Sequence, residues 1–231
     1  MAAVRRIGAI VQAQMGSSRL RGKTLAPLAG RPVLGHVLDR LRRCRHIDQI
    51  VVATSDAATD GAIHDFCQRD EVARVRGDPH NVARRVLDAV EQFDLAAFVH
   101  VRGNSPLIDP ELIDTAIELF MTGRYDLVTN NIERTFPVGQ TVEVLCGLMY
   151  RDGFLGMHTA EHFERVTPYF HEHADDYRVF NFTAQDDYSD VRLVVDTEND
   201  LREMNELLAR LDPPHCSHGL RKILEQRGRL V

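Results

Sequence analysis

The segment QAQMGSSRLRGK, from Gln12 to Lys23, gathers two glycines, two hydroxyls and three cationic side chains into one short stretch. That is the chemistry of a polyphosphate cradle. Backbone N–H groups freed at Gly16 and Gly22 can point at phosphate oxygens, Ser17 and Ser18 can donate hydrogen bonds, and Arg19 and Lys23 can neutralise charge. The spacing differs from the P-loop, which needs four residues between its glycines before Lys-Ser/Thr; here five separate Gly16 from Gly22. No G-x-G-x-x-G follows either, which argues against a dinucleotide oxidoreductase.

Such a loop must be held by a strand before it and a helix after it. Ile7 to Val11 reads as that strand, and a helix starting at Pro32 with Val33, Val37, Leu38 and Leu41 on one face follows. The rhythm then repeats. Strands are expected at Gln49–Ala53, Glu71–Val75 and Ala96–Val101, with helices through Ile63 and Phe66 and over Asn81–Phe93. Asp109-Pro110 caps a further helix carrying Leu112, Ile113, Ala116, Ile117 and Phe120. The pattern predicts an α/β fold: a three-layer, Rossmann-like, mostly parallel sheet with ligands beyond the carboxyl ends of its strands. From about Thr129 to Ser189 the rhythm degrades into shorter strands, a helix near Arg151–His162 and an aromatic, histidine-rich run. We expect one domain over 1–231 with a smaller inserted α+β subregion over 130–190. The chain then regains a strand at Arg192–Val195 and a helix starting at Thr197 or Glu198.

A net charge of −6 argues against broad nucleic-acid binding, which relies on a basic surface. Composition, at 44% hydrophobic and 27% charged residues, suits a soluble enzyme, and no apolar run approaches a membrane span. The opening MAAVRRIGAIVQAQ has Arg5 and Arg6 before a short apolar run, but Gln12 and Gln14 break that run and no cleavage site follows, so a cytoplasmic protein is expected. Cys44, Cys67, Cys146 and Cys216 are scattered without a CxxC pair and are expected to be reduced.

The run QMGSSRLRGKTLAPLAGRPVLGHVLDRL resembles the signature loop and helix of the cytidylyltransferases that activate sugar acids, above all the spore-coat polysaccharide type and also the acylneuraminate and 3-deoxy-manno-octulosonate types. IVVATSD, RGNSPLIDPELID, ERVTPYFHEH and VRLVVDTENDL match further stretches in order, so the resemblance spans nearly the whole chain. It implies transfer of CMP from CTP to a small acidic acceptor, a sugar acid or a phosphonate-type anion, with magnesium as cofactor and pyrophosphate released. It also implies the fold of nucleotide-diphospho-sugar transferases. Nucleotide-binding positions carried over are Ala13, Gln14, Gly16, Ser17, Ser18, Arg19, Lys23, Thr54 and Ser55, with Arg76 and Arg102 bordering the nucleotide. The metal site falls on Asp196 and Asn104, and Arg19, Lys23, Asp196 and Asn104 form the catalytic set.

Two departures bear on this. Asn104 stands where the family has an aspartate, offering a hard cation only a carbonyl oxygen. Gln14 stands where the family has an arginine, removing one cation from the loop. A nucleotide-binding protein of weakened catalysis, or a donor other than CTP, are the alternatives. The subregion is expected to supply acceptor contacts from Glu143, Arg165, Tyr169 and Arg192, with His171 and His173 as further candidates. On a strand, the i, i+2 spacing of the two histidines would allow a metal pair, although exposed histidines are commoner. Phe163, Tyr169 and Phe170 read as packing residues. A homodimer is expected, with Phe136, Val142, Val144, Leu145 and Phe154 contributing an apolar surface.

Overall fold

A computed structural model describes residues 6–229; Arg5, part of the N-terminal reading, lies outside them. The elements run β1 (Ile7–Gln12), β2 (Pro27–Leu28), β3 (Arg31–Pro32), α1 (Val33–Leu41), β4 (Gln49–Ser55), α2 (Gly61–Arg69), β5 (Ala73–Gly77), α3 (Val82–Gln92), β6 (Ala97–Arg102), α4 (Pro110–Met121) and β7 (Leu127–Thr129). They continue with β8 (Glu143–Cys146), α5 (Gly147–Phe154), α6 (Ala160–Glu164), α7 (Pro168–Glu172), β9 (Val179–Asn181), α8 (Glu198–Leu208) and α9 (Leu220–Gln226).

Seven strands form the main sheet in the order β5-β4-β1-β6-β8-β7-β9. β8 pairs antiparallel with both β6 and β7, and every other pair in this sheet is parallel. Alternation along β1 fills two layers: Ile7, Ala9 and Val11 pack in one core with Leu34, Val37, Ile113 and Ile117, while Ile10 packs in the other with Val86, Leu87 and Val90. The three-layer α/β reading holds. A third cluster joins Leu193 and Val195 to Met204, Leu207, Leu208, Ile223 and Leu224 beneath α8 and α9. Parallel β1, β4 and β6 bring the loops after them to one edge, and the candidate site lies there.

Boundaries differ from expectation in several places. Pro32 precedes α1 as its N-cap residue. The third strand starts at Ala73, because Glu71, at φ 54, belongs to the turn that ends α2. The helix expected near Arg151–His162 is two helices: the chain turns after Phe154, and Thr159 caps α6 by accepting a hydrogen bond from the His162 N–H. Segment 130–190 is continuous with the sheet, supplying β8 and β9, and α5 to α7 pack beside it. Asp109 caps α4 as expected, and Thr197 with Asp200 forms a capping box for α8.

Arg192–Val195 is extended but makes only an isolated bridge, Val138 with Arg192, because its partner is a loop outside the sheet. Leu193 N donates to Val138 O at 2.8 Å, and Val195 N donates to Asn104 O at 2.9 Å. This brings Asp196 to the β6 loop. Gly139 permits the close passage: its φ is +101, and a Cβ there would lie 2.5 Å from Leu193 O. Gly139→Ala is therefore expected to cost about 3 kcal/mol or more of stability, read as a lower denaturant midpoint at unchanged slope.

Three of the residues expected to face a partner subunit cannot do so. Val142, Val144 and Leu145 are each 0% exposed, because Val142 and Val144 pack in one core layer and Leu145 in the other. The large apolar side chains exposed among the described residues are Met121, Ile132, Leu148 and Leu155. No helix described is long and apolar enough to cross a membrane, and all four cysteines are free thiols.

Candidate active site

The cationic loop is fixed from below. Ala13 N donates to Ala53 O at 3.1 Å, Met15 N donates to Asp60 Oδ1 at 2.7 Å, and Gly22 N closes the loop onto Met15 O at 3.0 Å. Thr24 Oγ1 donates to Gln14 O at 2.7 Å. Gly22, at φ +72, makes the left-handed turn into Lys23. The buried Asp60 also accepts from Ser55 N at 3.2 Å, Ser55 Oγ at 2.5 Å and Thr54 Oγ1 at 3.3 Å. One carboxylate thus ties the β1 loop to the end of β4. Asp60 was missed by sequence reasoning, since ATSDAATDG offers no periodicity that singles it out.

Lys23 and Arg19 converge on Asp196, whose side chain is 13% exposed. Lys23 Nζ lies 2.6 Å from Oδ1 and Arg19 Nη2 lies 3.2 Å from Oδ2. Asn104 Nδ2 donates to Asp196 Oδ1 at 2.9 Å. All four members of the expected catalytic set therefore meet. Burial alone would raise the Asp196 carboxyl, but the Lys23 hydrogen bond and the charges of Lys23, Arg19 and Arg192 outweigh it and hold Asp196 below the ordinary aspartate range. Arg192, expected among the acceptor contacts, stands at this corner and lines neither cleft: it grips Asp200 through Nε and Nη2, each at 3.2 Å, and its Nη2 lies 3.7 Å from Asp196 Oδ2.

Two clefts open on either side of the loop. The larger, about 620 Å³, is lined among others by Arg19, Lys23, Arg102, Asn104, Arg134, Glu143, Arg165, His171 and Asp196. The smaller, about 370 Å³, is lined by Gly16, Ser55, Ala57, Thr59, Asp60, Pro79, His80 and Val82. Both share Gln12, Gln14 and Glu164. The loop therefore stands between two compartments.

A cytidylyltransferase family model matches residues 8–223. The chain belongs to the cytidylyltransferase family. It is 30% identical to the spore coat polysaccharide biosynthesis protein SpsF of Bacillus subtilis over 86% of this chain and 84% of that protein. It is 35% identical to 3-deoxy-manno-octulosonate cytidylyltransferase of Anaeromyxobacter sp. over 54% of this chain and 51% of that one. Among solved structures, a cytidylyltransferase from Leptospira borgpetersenii superposes with a TM-score of 0.91 at 26% identity, covering 95% of this chain and 92% of that one.

The other expected residues of this cytidylyltransferase divide by location. Gly16, Gln14 and Ser55 line the smaller cleft. Ala13 and Thr54 are buried beneath the loop, with Ala13 N donating to Ala53 O and Thr54 Oγ1 to Asp60. Ser17 Oγ accepts from Leu20 N at 3.4 Å, and Ser18 is exposed at the rim. Arg76 braces the β4 loop, donating to Ser55 O and Ala57 O. In the larger cleft Arg165 pairs with Glu161 at 2.9 Å, and Arg102 lies on the lining.

Tyr169, expected among the acceptor contacts, lines neither cleft. Its ring stacks on His173 at 4.3 Å and packs edge-on against Phe170 and His162, away from both clefts. The packing reading holds for Phe170, which is 0% exposed. His171 and His173 do not pair on a metal. His171 lies in α7, where each residue turns by about 100°, and His173 follows the helix, so an i, i+2 pair diverges. His171 instead faces Glu143, and His173 Nδ1 meets Tyr169 O at 2.8 Å.

Glu143 forms the floor of the larger cleft, 2% exposed. It stands directly across from His100 in the β6–β8 ladder, with Oε2 3.5 Å from His100 Nδ1; His100 Nε2 lies 3.2 Å from Gln12 Oε1. Burial would raise the Glu143 carboxyl, but His100, His171 and the Thr167 hydroxyl hold it below the ordinary glutamate range. His100 and Arg134 were not foreseen. His100 could have been, since a histidine inside the apolar run AFVHVR marks a polar position on a buried strand.

Proposed function

We propose that the protein transfers CMP from CTP to a small acidic acceptor, with release of pyrophosphate. The observation that carries this reading is one cationic loop standing between two adjoining clefts, as a two-substrate transfer requires. The nucleoside occupies the smaller cleft and the acceptor the larger. Between them the triphosphate lies along Gly16 to Lys23, and an acceptor oxygen attacks the α-phosphorus as pyrophosphate departs. Lys23 and Arg19 transfer their charge from Asp196 to the phosphates and stabilise the leaving pyrophosphate. No protein nucleophile takes part, and an acceptor that attacks through its ionised acid group needs no general base.

Magnesium belongs to this reading. Among the described residues no group of three or more acidic, histidine or cysteine side chains could hold a metal by itself. Asn104 turns its Nδ2 to Asp196, so its amide would have to flip to present an oxygen; Asp196 with that oxygen would then hold an ion that takes its remaining ligands from phosphate and water. Bound there it would neutralise phosphate charge. Asn104→Asp is expected to lower the magnesium concentration for half-maximal turnover by roughly tenfold. An unchanged magnesium titration would place residue 104 outside the metal's reach.

A homodimer is the assembly we expect, and Leu148 and Leu155, 62% and 85% exposed on and just beyond α5 and next to the half-buried Phe154, are apolar residues available for its contact. Sedimentation at micromolar concentration should give a dimer that Leu155→Glu weakens; a monomeric wild-type chain contradicts this.

The transfer itself is tested by equilibrium titration with the four nucleoside triphosphates and by pyrophosphate release against a panel of sugar acids and small phosphonates. Preferential CTP binding with acceptor-dependent pyrophosphate supports the reading. Preference for another triphosphate reassigns the donor. Saturable CTP binding without turnover, unrelieved by Gln14→Arg with Asn104→Asp, rejects it.

A further inference from the structure

The corner around Asp196 is held from behind by residues that line neither cleft. Asp200, 9% exposed, accepts through Oδ2 from Asp196 N at 3.0 Å and from Thr197 N at 2.9 Å. Arg192 grips the same carboxylate with both Nε and Nη2. Burial would raise the Asp200 carboxyl, but Arg192 and these hydrogen bonds hold it below the ordinary aspartate range, so its bonds are charge-assisted. Arg227 in turn donates through Nη2 to Arg192 O at 3.1 Å and through Nη1 to Glu203 at 3.2 Å, tying this stretch to α8.

The two oxygens of Asp196 have different neighbours. Oδ1 receives Lys23 Nζ and Asn104 Nδ2; Oδ2 faces Arg19 at 3.2 Å and Arg192 at 3.7 Å, an ion pair without a hydrogen bond. Lys23 and Arg19 both line the larger cleft, so an incoming triphosphate competes with Asp196 for them. Arg192 cannot follow, because its guanidinium is fixed on Asp200. A carboxylate that lost all its cations together would be free to rotate. One that keeps a fixed cation behind Oδ2 keeps Oδ1 turned toward Asn104 and the cleft.

We propose that Arg192 and Asp200 are positioning residues for the transfer: Asp200 fixes the Asp196 backbone, and Arg192 stays behind Oδ2 while Lys23 and Arg19 turn to the phosphates. The proposal rests on the cytidylyl-transfer reading for that turn of the two loop cations.

The test is Arg192→Met in the full chain, which keeps an unbranched stem and removes the cationic fork. Its kcat is expected to fall by about tenfold to a hundredfold, while CTP affinity, titrated calorimetrically without metal, stays within about threefold of wild type. In the double variant with Asp196→Asn, kcat should match that of Asp196→Asn alone within about threefold, since Arg192 acts through that carboxylate. Amide exchange at Asp196 and Thr197, followed by NMR, should quicken by about threefold or more in Arg192→Met. A kcat within about threefold of wild type, a loss of CTP affinity as large as the loss of kcat, losses that multiply in the double variant, or unchanged exchange overturns the proposal. Quickened exchange in a protein whose wild-type form makes no CMP-linked product would instead sink the transfer and leave the hold on Asp196 standing.

Discussion

Asp196→Asn is expected to lower kcat by about a thousandfold while CTP binding without metal tightens by about threefold to tenfold. The two effects have one origin. Asp196 is the carboxylate on which Lys23, Arg19 and Asn104 converge, and it is largely buried. Asparagine keeps its shape and removes its charge, so the two cations lose their resting partner and meet the triphosphate without a competing anion. What disappears is the charged oxygen donor and the alignment it gives the reacting phosphate. Steady-state kinetics with a parallel CTP titration separate the effects; a kcat within about threefold of wild type would remove Asp196 from the machinery.

Lys23→Met is expected to weaken CTP binding by about a hundredfold, or about 2.7 kcal/mol. The Lys23 side chain is only 13% exposed, so water screens its charge poorly. The change also leaves Asp196 without its 2.6 Å partner, and the freed carboxylate then repels the incoming phosphates. Lys23→Arg should recover only part of the loss, because a planar guanidinium does not replace a compact ammonium in that corner. Unchanged CTP affinity in Lys23→Met would show that the loop does not hold the triphosphate.

Much of the positioning frame was legible because its signals are local. β1 and its loop, the Asp109-Pro110 cap and the Thr197 start of α8 each announce themselves within a few residues. The convergence of Lys23, Arg19 and Asn104 on Asp196 was legible only through family resemblance, since nothing in VVDTEND alone says that Asp196 meets Lys23. What remained hidden depends on long-range pairing. β8 runs against its neighbours and sets Glu143 opposite His100, a register no local period encodes. Helices of five residues, such as α6 and α7, carry too few turns to show a periodic face, so His171 and His173 were read on a strand. Asp60 acts through four hydrogen bonds to the β1 loop and the end of β4, and Val142 and Val144 looked like a free apolar surface because their packing against α4 was not foreseen.

The central claim is that an acceptor oxygen attacks the α-phosphorus of CTP. It is tested most directly with acceptors labelled with ¹⁸O at every acid and hydroxyl oxygen, incubated with CTP, magnesium and the purified protein, and followed by mass spectrometry of the cytidine-containing product and of its fragments. The expected result is a CMP–acceptor adduct that retains the label in the new phosphorus–oxygen linkage, with unlabelled pyrophosphate released in equal amount. Label in the pyrophosphate, or pyrophosphate formed without any CMP–acceptor adduct, would contradict it.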